Sequence, residues 1–132
     1  MIAAIADTHT VVWSVVNDPR LSLPAKGAIR QAEAAGDFVG VSSMTLVELV
    51  YLVDKRRLDG EIVRRVSRVL SLGLVFIEVP VDRLIALAME NIPRHEVPDM
   101  PDRVIAATAV HLNVPIISRD GKIRASSVTT IW

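Results

Sequence analysis

Four acidic residues, Asp7, Glu48, Asp102 and Asp120, carry the chemistry that this sequence is equipped to do. Asp7 directly follows the apolar run Ile2–Ala6. Asp120 follows the run Val114–Ser118 with only Arg119 between. Glu48 lies about one turn into a helix that follows the run Phe38–Ser42, and Asp102 lies in the first turn of a helix entered from a proline-punctuated loop. In a parallel sheet the strand ends and the starts of the following helices share one edge, the edge where such folds bind ligands. Carboxylates from four separate segments are therefore expected to meet there. Carboxylates brought together repel, and a divalent cation relieves the repulsion. With oxygen ligands alone, no cysteine and no obligatory histidine, the ion expected is a hard one such as Mg²⁺ or Mn²⁺.

Each acid also has an ordinary reading. Asp7 can cap the helix after it, and Asp120 before Gly121 can be a turn residue. Asp99 and Asp102 resemble a capping box, with Asp99 at the cap and Pro101 at an early position that needs no N–H partner; Asp99 is read chiefly as that cap and, second, as an auxiliary ligand. Glu48 is the hardest to explain away. Its segment, Met44–Val53, is apolar nearly all round, which predicts a buried helix, and a carboxylate there needs a partner, a metal or a raised pKa. One shared cause accounts for all four better than four separate ones.

The flanking residues divide in the same way. Thr8 and Ser118 are candidates to bind a metal-held water, although such residues commonly cap or turn. His9 is a candidate substrate contact or a hydrogen-bonded structural histidine. His111 is read as structural, Trp13 as core, and Arg64, Arg65 and Arg68 as a solvated face with the option of following an RNA backbone.

The elements that position the acids follow from periodicity. Strands are predicted at Ile2–Ala6, Phe38–Ser42, Leu74–Val79, Val114–Ser118 and Val128–Trp132. Helices are predicted at Thr10–Asn17, Ser22–Ala35, Met44 to about Arg57, Glu61–Leu72, Val81–Asn91 and Met100–Leu112, with Gly36 and Gly73 as stops. Arg119-Asp120-Gly121 is read as an exit turn. Short apolar strands alternating with helices predict a parallel α/β sheet covered on both faces.

Composition sets the limits. The 132 residues fit one domain, 1–132, and with 51% hydrophobic residues they can bury a core without staples. The absence of cysteine removes disulfides and thiolate metal sites. Fifteen basic residues, twelve of them arginine, balance fifteen acidic ones. That balance speaks against a general nucleic-acid binder but not against an acidic metal site offset by positive charge elsewhere. No stretch is long and apolar enough to span a bilayer, and Met1–Ala6 lacks the basic flank of a signal peptide; a cytoplasmic protein with no membrane partner is expected. The apolar helix around Tyr51 offers more surface than one small domain covers, which suggests a dimer or a groove for a partner.

The segments Ala6-Asp7-Thr8-His9, Thr45-Leu46-Val47-Glu48-Leu49, Pro98-Asp99-Met100-Pro101-Asp102-Arg103-Val104-Ile105-Ala106-Ala107-Thr108-Ala109 and Ile117-Ser118-Arg119-Asp120 resemble those of PIN-domain ribonucleases, specifically toxins of the VapC type. The resemblance covers essentially the whole chain. It implies a doubly wound α/β/α sandwich with a mainly parallel sheet and Mg²⁺- or Mn²⁺-dependent RNA cleavage. It further implies a homodimeric toxin held by a cognate antitoxin, with Asp7, Glu48, Asp102 and Asp120 as the acidic quartet. One departure is Asp99-Met100-Pro101-Asp102: many relatives place proline directly after the first aspartate.

Three other classes compete. A phosphatase with an aspartate nucleophile wants a second aspartate two residues on, where His9 stands, and a receiver domain wants a phospho-acceptor aspartate after a middle strand, which Glu78-Val79-Pro80 does not supply. A non-catalytic module would use the acids to grip a basic peptide. A PIN nuclease outside toxin–antitoxin pairs would read much the same as a toxin.

Overall fold

The structure, a computed structural model, describes residues 1–132. In chain order the elements are β1 (Ile2–Ala6), α1 (Thr8–Val15), α2 (Leu23–Ala35), β2 (Phe38–Ser42), α3 (Ser43–Asp54), α4 (Gly60–Leu72), β3 (Phe76–Val79), α5 (Arg83–Ala88) with a 3-10 turn at Met89–Asn91, α6 (Met100–Leu112), β4 (Ile116–Ile117), α7 (Gly121–Ala125) and β5 (Thr130–Ile131). The five strands form one sheet in the order β3-β2-β1-β4-β5, and every neighbouring pair is parallel. No helix is long and apolar enough to cross a membrane.

Strand alternation sorts the core into two layers. Ala4, Ala6, Val39, Val41 and Ile117 turn to one face, where Val11, Trp13, Ala25, Ile29, Leu49 and Val66 from α1 to α4 cover them. Ile5 and Ile116 turn to the other, where Ile85, Ile105, Ala106, Ala109 and Ile123 from α5 to α7 close the layer. Burying each fully enclosed isoleucine or valine is worth roughly 1.5–3 kcal/mol. The result is the expected α/β/α sandwich. At Gly40, in the middle of β2, an added Cβ would stand 2.6 Å from Ile5 Cδ1 and 2.9 Å from Val79 Cγ2. The strand therefore needs glycine there for room, at an ordinary backbone angle.

Local chemistry sets the helix ends. Ser22 caps α2 by accepting from the Ala25 N–H, and Gly36 ends that helix at φ 73°. Asp59 caps α4 by accepting from the Glu61 N–H. Asp82 caps α5, which is shorter than the predicted Val81–Asn91 because its last turn tightens to 3-10. α1 begins two residues before the predicted start, because the Asp7 side chain holds the Thr10 N–H.

Three expectations need larger correction. Asp120 does not close a simple turn: it caps a short helix, α7, that the sequence reading missed. Asp99 occupies the cap position of α6, but its side chain makes no capping hydrogen bond, so the capping box with Asp102 does not form. The Met44–Val53 segment is not buried all round. Within α3 only Thr45 and Leu49 are buried, while Val47, Val50 and Tyr51 are 60%, 48% and 57% exposed.

Candidate metal centre at the sheet edge

The order of the sheet reverses between β1 and β4, since β1 leads outward through β2 to β3 and β4 leads outward to β5. The carboxyl ends of these two strands frame the crevice that such a reversal opens. Asp7 leaves β1 on one side of it, and Ser118 and Asp120 leave β4 on the other.

Asp7 is 3% exposed and fully engaged. Its backbone N–H donates to the Ile117 carbonyl at 3.2 Å, extending the β1–β4 pairing by one residue. Oδ1 accepts from the Thr10 N–H at 2.9 Å, and Oδ2 accepts from the Ser118 hydroxyl at 2.5 Å. Ser118 Oγ in turn accepts from the Asp120 N–H at 3.0 Å. Asp120 Oδ1 accepts from Lys122 N and Ile123 N, each at 2.9 Å, which leaves Oδ2 free of the cap.

From the other flank, Thr8 donates its hydroxyl to Glu48 Oε1 at 2.5 Å and lies 3.2 Å from the Thr45 hydroxyl. Thr10 donates to the Ile117 carbonyl at 2.8 Å. Of the buried polar side chains, Asp7, Thr8, Thr10, Thr45 and Ser118 all belong to this network. Thr10 and Thr45 escaped the sequence reading. Their only signal is that each is a hydroxyl placed in an apolar helix close to a candidate acid.

Asp102 enters from the first turn of α6. Arg103 steadies the approach: its Nη2 donates to the Met89 carbonyl at 2.9 Å and its Nε to the Ile92 carbonyl at 3.2 Å, tying the preceding loop to α6. Asp102 titrates well above the usual carboxylate range, at about 7. Burial is the largest cause, followed by the charges of Asp120, Asp99, Glu48 and Asp7. Those causes put all four predicted acids, and Asp99 with them, within electrostatic reach of one point.

The donor set suits a hard cation. It is all carboxylate and hydroxyl oxygen, and the crowding at Asp102 is the kind of repulsion that a positive ion relieves. The acids do not form a ready cage, because no three of them converge closely enough to hold an ion as they stand. The arrangement concentrates negative charge at the sheet edge, with Asp7 and Glu48 each held by hydrogen bonds.

Next to the acids an apolar groove of about 340 Å³ runs between α3 and the start of α6. Met44, Val47, Tyr51 and Met100 line it, and Glu48 and Asp99 stand at its polar side. Of the remaining residues considered from sequence, Trp13 is core at 6% exposure, and His9 and His111 are exposed. Arg64 pairs with Glu61, Arg65 reaches the Val15 carbonyl, and Arg68 is solvated.

Residues 4–127 match the sequence profile of the PIN domain. Among curated proteins, none matches the chain. Similar solved structures include VapBC2 from Rickettsia felis bound to a DNA fragment from its promoter, at a TM-score of 0.70 and 18% identity. They also include a toxin–antitoxin complex from Klebsiella pneumoniae at 0.65 and 22%, and DNA-bound VapBC from Salmonella typhimurium at 0.69 and 18%. Each alignment covers 98% of this chain and 97% of the other. At these identities the likeness is one of fold.

Proposed function

The chain belongs to the PIN-domain family, and from that premise we propose that it is a cytoplasmic, Mg²⁺- or Mn²⁺-dependent endoribonuclease, the toxin of a toxin–antitoxin pair. The observation that carries this reading is the edge between β1 and β4, where hydrogen bonds fix Asp7, Glu48 and Asp120 and where burial and then their charges raise the pKa of Asp102. Such crowding is costly to keep unless a cation relieves it.

In this reading Asp7, Asp102 and Asp120 hold the ion, with Glu48 as a further ligand or as the group that orients the attacking water. A bound divalent ion acidifies water and neutralises charge on the phosphate and the leaving oxygen. The chain's own residues do the positioning. Ser118 and the Thr10 N–H lock both oxygens of Asp7, and Thr8 fixes one oxygen of Glu48, leaving the other to face substrate or solvent. The α7 backbone holds Asp120 by a single oxygen. Hydrolysis adds water to phosphorus and breaks the bond to the leaving oxygen; the proton shed by the water passes to Glu48 or to solvent, and the leaving oxygen takes up a proton from solvent.

Solved proteins of the same fold are toxin–antitoxin complexes, which supports an antitoxin partner. The exposed Val47, Tyr51 and Met100 beside Glu48 and Asp99 suit a partner segment that is apolar with a basic residue. The same apolar excess supports a homodimer. That no three of the acids form a ready cage supports a second reading, a non-catalytic module that grips a basic peptide without metal.

The deciding experiment is cleavage of a mixed structured-RNA pool with Mg²⁺ or Mn²⁺ against EDTA, beside Asp7→Asn, together with a Mn²⁺ titration. Metal-dependent cleavage that is lost in Asp7→Asn supports the nuclease. Neither cleavage nor metal uptake would favour the peptide-gripping module.

A further inference from the structure

Beside Asp120 an open notch of about 270 Å³ is walled by His9, Trp13, Arg119 and Asp120. It shares Asp120 with the acidic cluster, and its other walls are neighbours in sequence of that cluster: His9 lies two residues after Asp7, and Arg119 lies between Ser118 and Asp120. The buried Trp13 indole is the fixed part. The His9 ring lies against it with centroids 5.3 Å apart and planes at 44°. The Trp132 ring backs it at 5.8 Å.

Two arginines approach that indole, and they are not equivalent. Arg20 lies 4.8 Å from the ring centroid, but both of its ends are spent on Asp18, through Nε at 3.0 Å and Nη2 at 2.8 Å. Arg119 lies 5.7 Å from the ring centroid and makes neither an ion pair nor a side-chain hydrogen bond. It is exposed, so one planar cation is held beside the acids with a face to offer. A phosphate placed in the notch would meet the negative charge of Asp120. A neutral planar ring is not repelled by Asp120 and gains stacking and cation–π contact from the imidazole and guanidinium.

We propose that this notch receives a nucleobase of the RNA strand next to the phosphate that is cut, stacked on Arg119 and His9. The proposal rests on the nuclease reading and adds to it the residues that choose which base lies beside the cut. His9 and Arg119 act here on substrate recognition, and Trp13 is a positioning residue that holds them.

The test uses an oligoribonucleotide that the wild-type protein cuts, together with copies in which one base at a time near the cut is replaced by an abasic ribose. Wild-type kcat/KM should fall roughly 10-fold or more at one position, the size of a single base stack. Arg119→Ala should lose a similar factor on intact RNA and be indifferent to the abasic copy at that position. Arg119→Lys, which keeps the charge and loses the plane, should recover little. If the wild type cuts RNA but every abasic copy affects it and Arg119→Ala alike, the subsite is wrong and the nuclease reading stands. Full recovery by Arg119→Lys would overturn base stacking in favour of a phosphate contact. If the wild type cuts no RNA, the nuclease reading fails and the subsite falls with it.

Discussion

Ser118 donates its hydroxyl to the Asp7 carboxylate at 2.5 Å across 111 positions of sequence, and its own oxygen accepts the Asp120 N–H. One hydroxyl thus joins the carboxylate at the end of β1 to the backbone of Asp120 beyond β4. Ser118→Ala removes a hydrogen bond to a charged group and should cost about 2 kcal/mol in urea unfolding. Because an outer partner also orients the ligand it touches, Mn²⁺ affinity should fall on the order of 10- to 100-fold. Unchanged calorimetric affinity would show that Asp7 does not depend on Ser118.

Asp7→Asn keeps the shape and the Thr10 cap while removing a charge. Cleavage of RNA should drop below detection, and the far-ultraviolet spectrum should be unchanged. Wild-type cleavage rates in this variant would remove Asp7 from the chemistry.

Asp102 gives the metal-free protein a characteristic pH dependence. In the unfolded chain this carboxyl ionises near the ordinary 3.8, and in the fold at about 7. Between those values the native state keeps a proton that the unfolded state has lost, so stability falls as pH rises through the window and is level below it. The side chain is only partly buried, and solvent screening limits the effect to roughly 1–2 kcal/mol. Urea midpoints from pH 4 to 8 in EDTA should show the decline, and Asp102→Asn should flatten it.

Cation binding should reverse that protonation. Near pH 7 a bound ion displaces the Asp102 proton, so the Mn²⁺ titration heat should differ between buffers of different ionisation enthalpy. In Asp102→Asn that difference should vanish. A buffer-independent heat in the wild type would place the ion elsewhere.

At Gly40 any side chain collides with Ile5 and Val79. Gly40→Ala should destabilise the fold by roughly 1–3 kcal/mol through overpacking, visible as a lower melting temperature, with no direct contact to the acids.

The sequence made the frame legible because its cues are local. The runs Ile2–Ala6 and Phe38–Ser42 and the helix Met100–Leu112 are bounded as predicted, since apolar runs and helix stops such as Gly36 are local signals. α7 was hidden because Asp120-Gly121 reads equally as a turn and as a cap, and five residues carry no period. The burial of α3 was misread for a different reason. Its composition shows that the helix is apolar but not whether this chain supplies enough neighbours to cover it, and Val47 and Tyr51 remain in solvent. For the site, the positions of the acids after strands were readable. The hydroxyls of Thr10 and Thr45 were not, because their partners lie far away in sequence.

The interleaved strand order also sets a sequence of events during synthesis. β4 is made after β1, β2 and β3 yet must pair with β1. Asp7 and Glu48 leave the ribosome before Asp102, Ser118 and Asp120. A partly made chain therefore lacks half of its acids and the hydroxyl that joins them. Whatever activity the assembled crevice has stays silent until the segment that carries Ser118 and Asp120 has been made and has paired with β1.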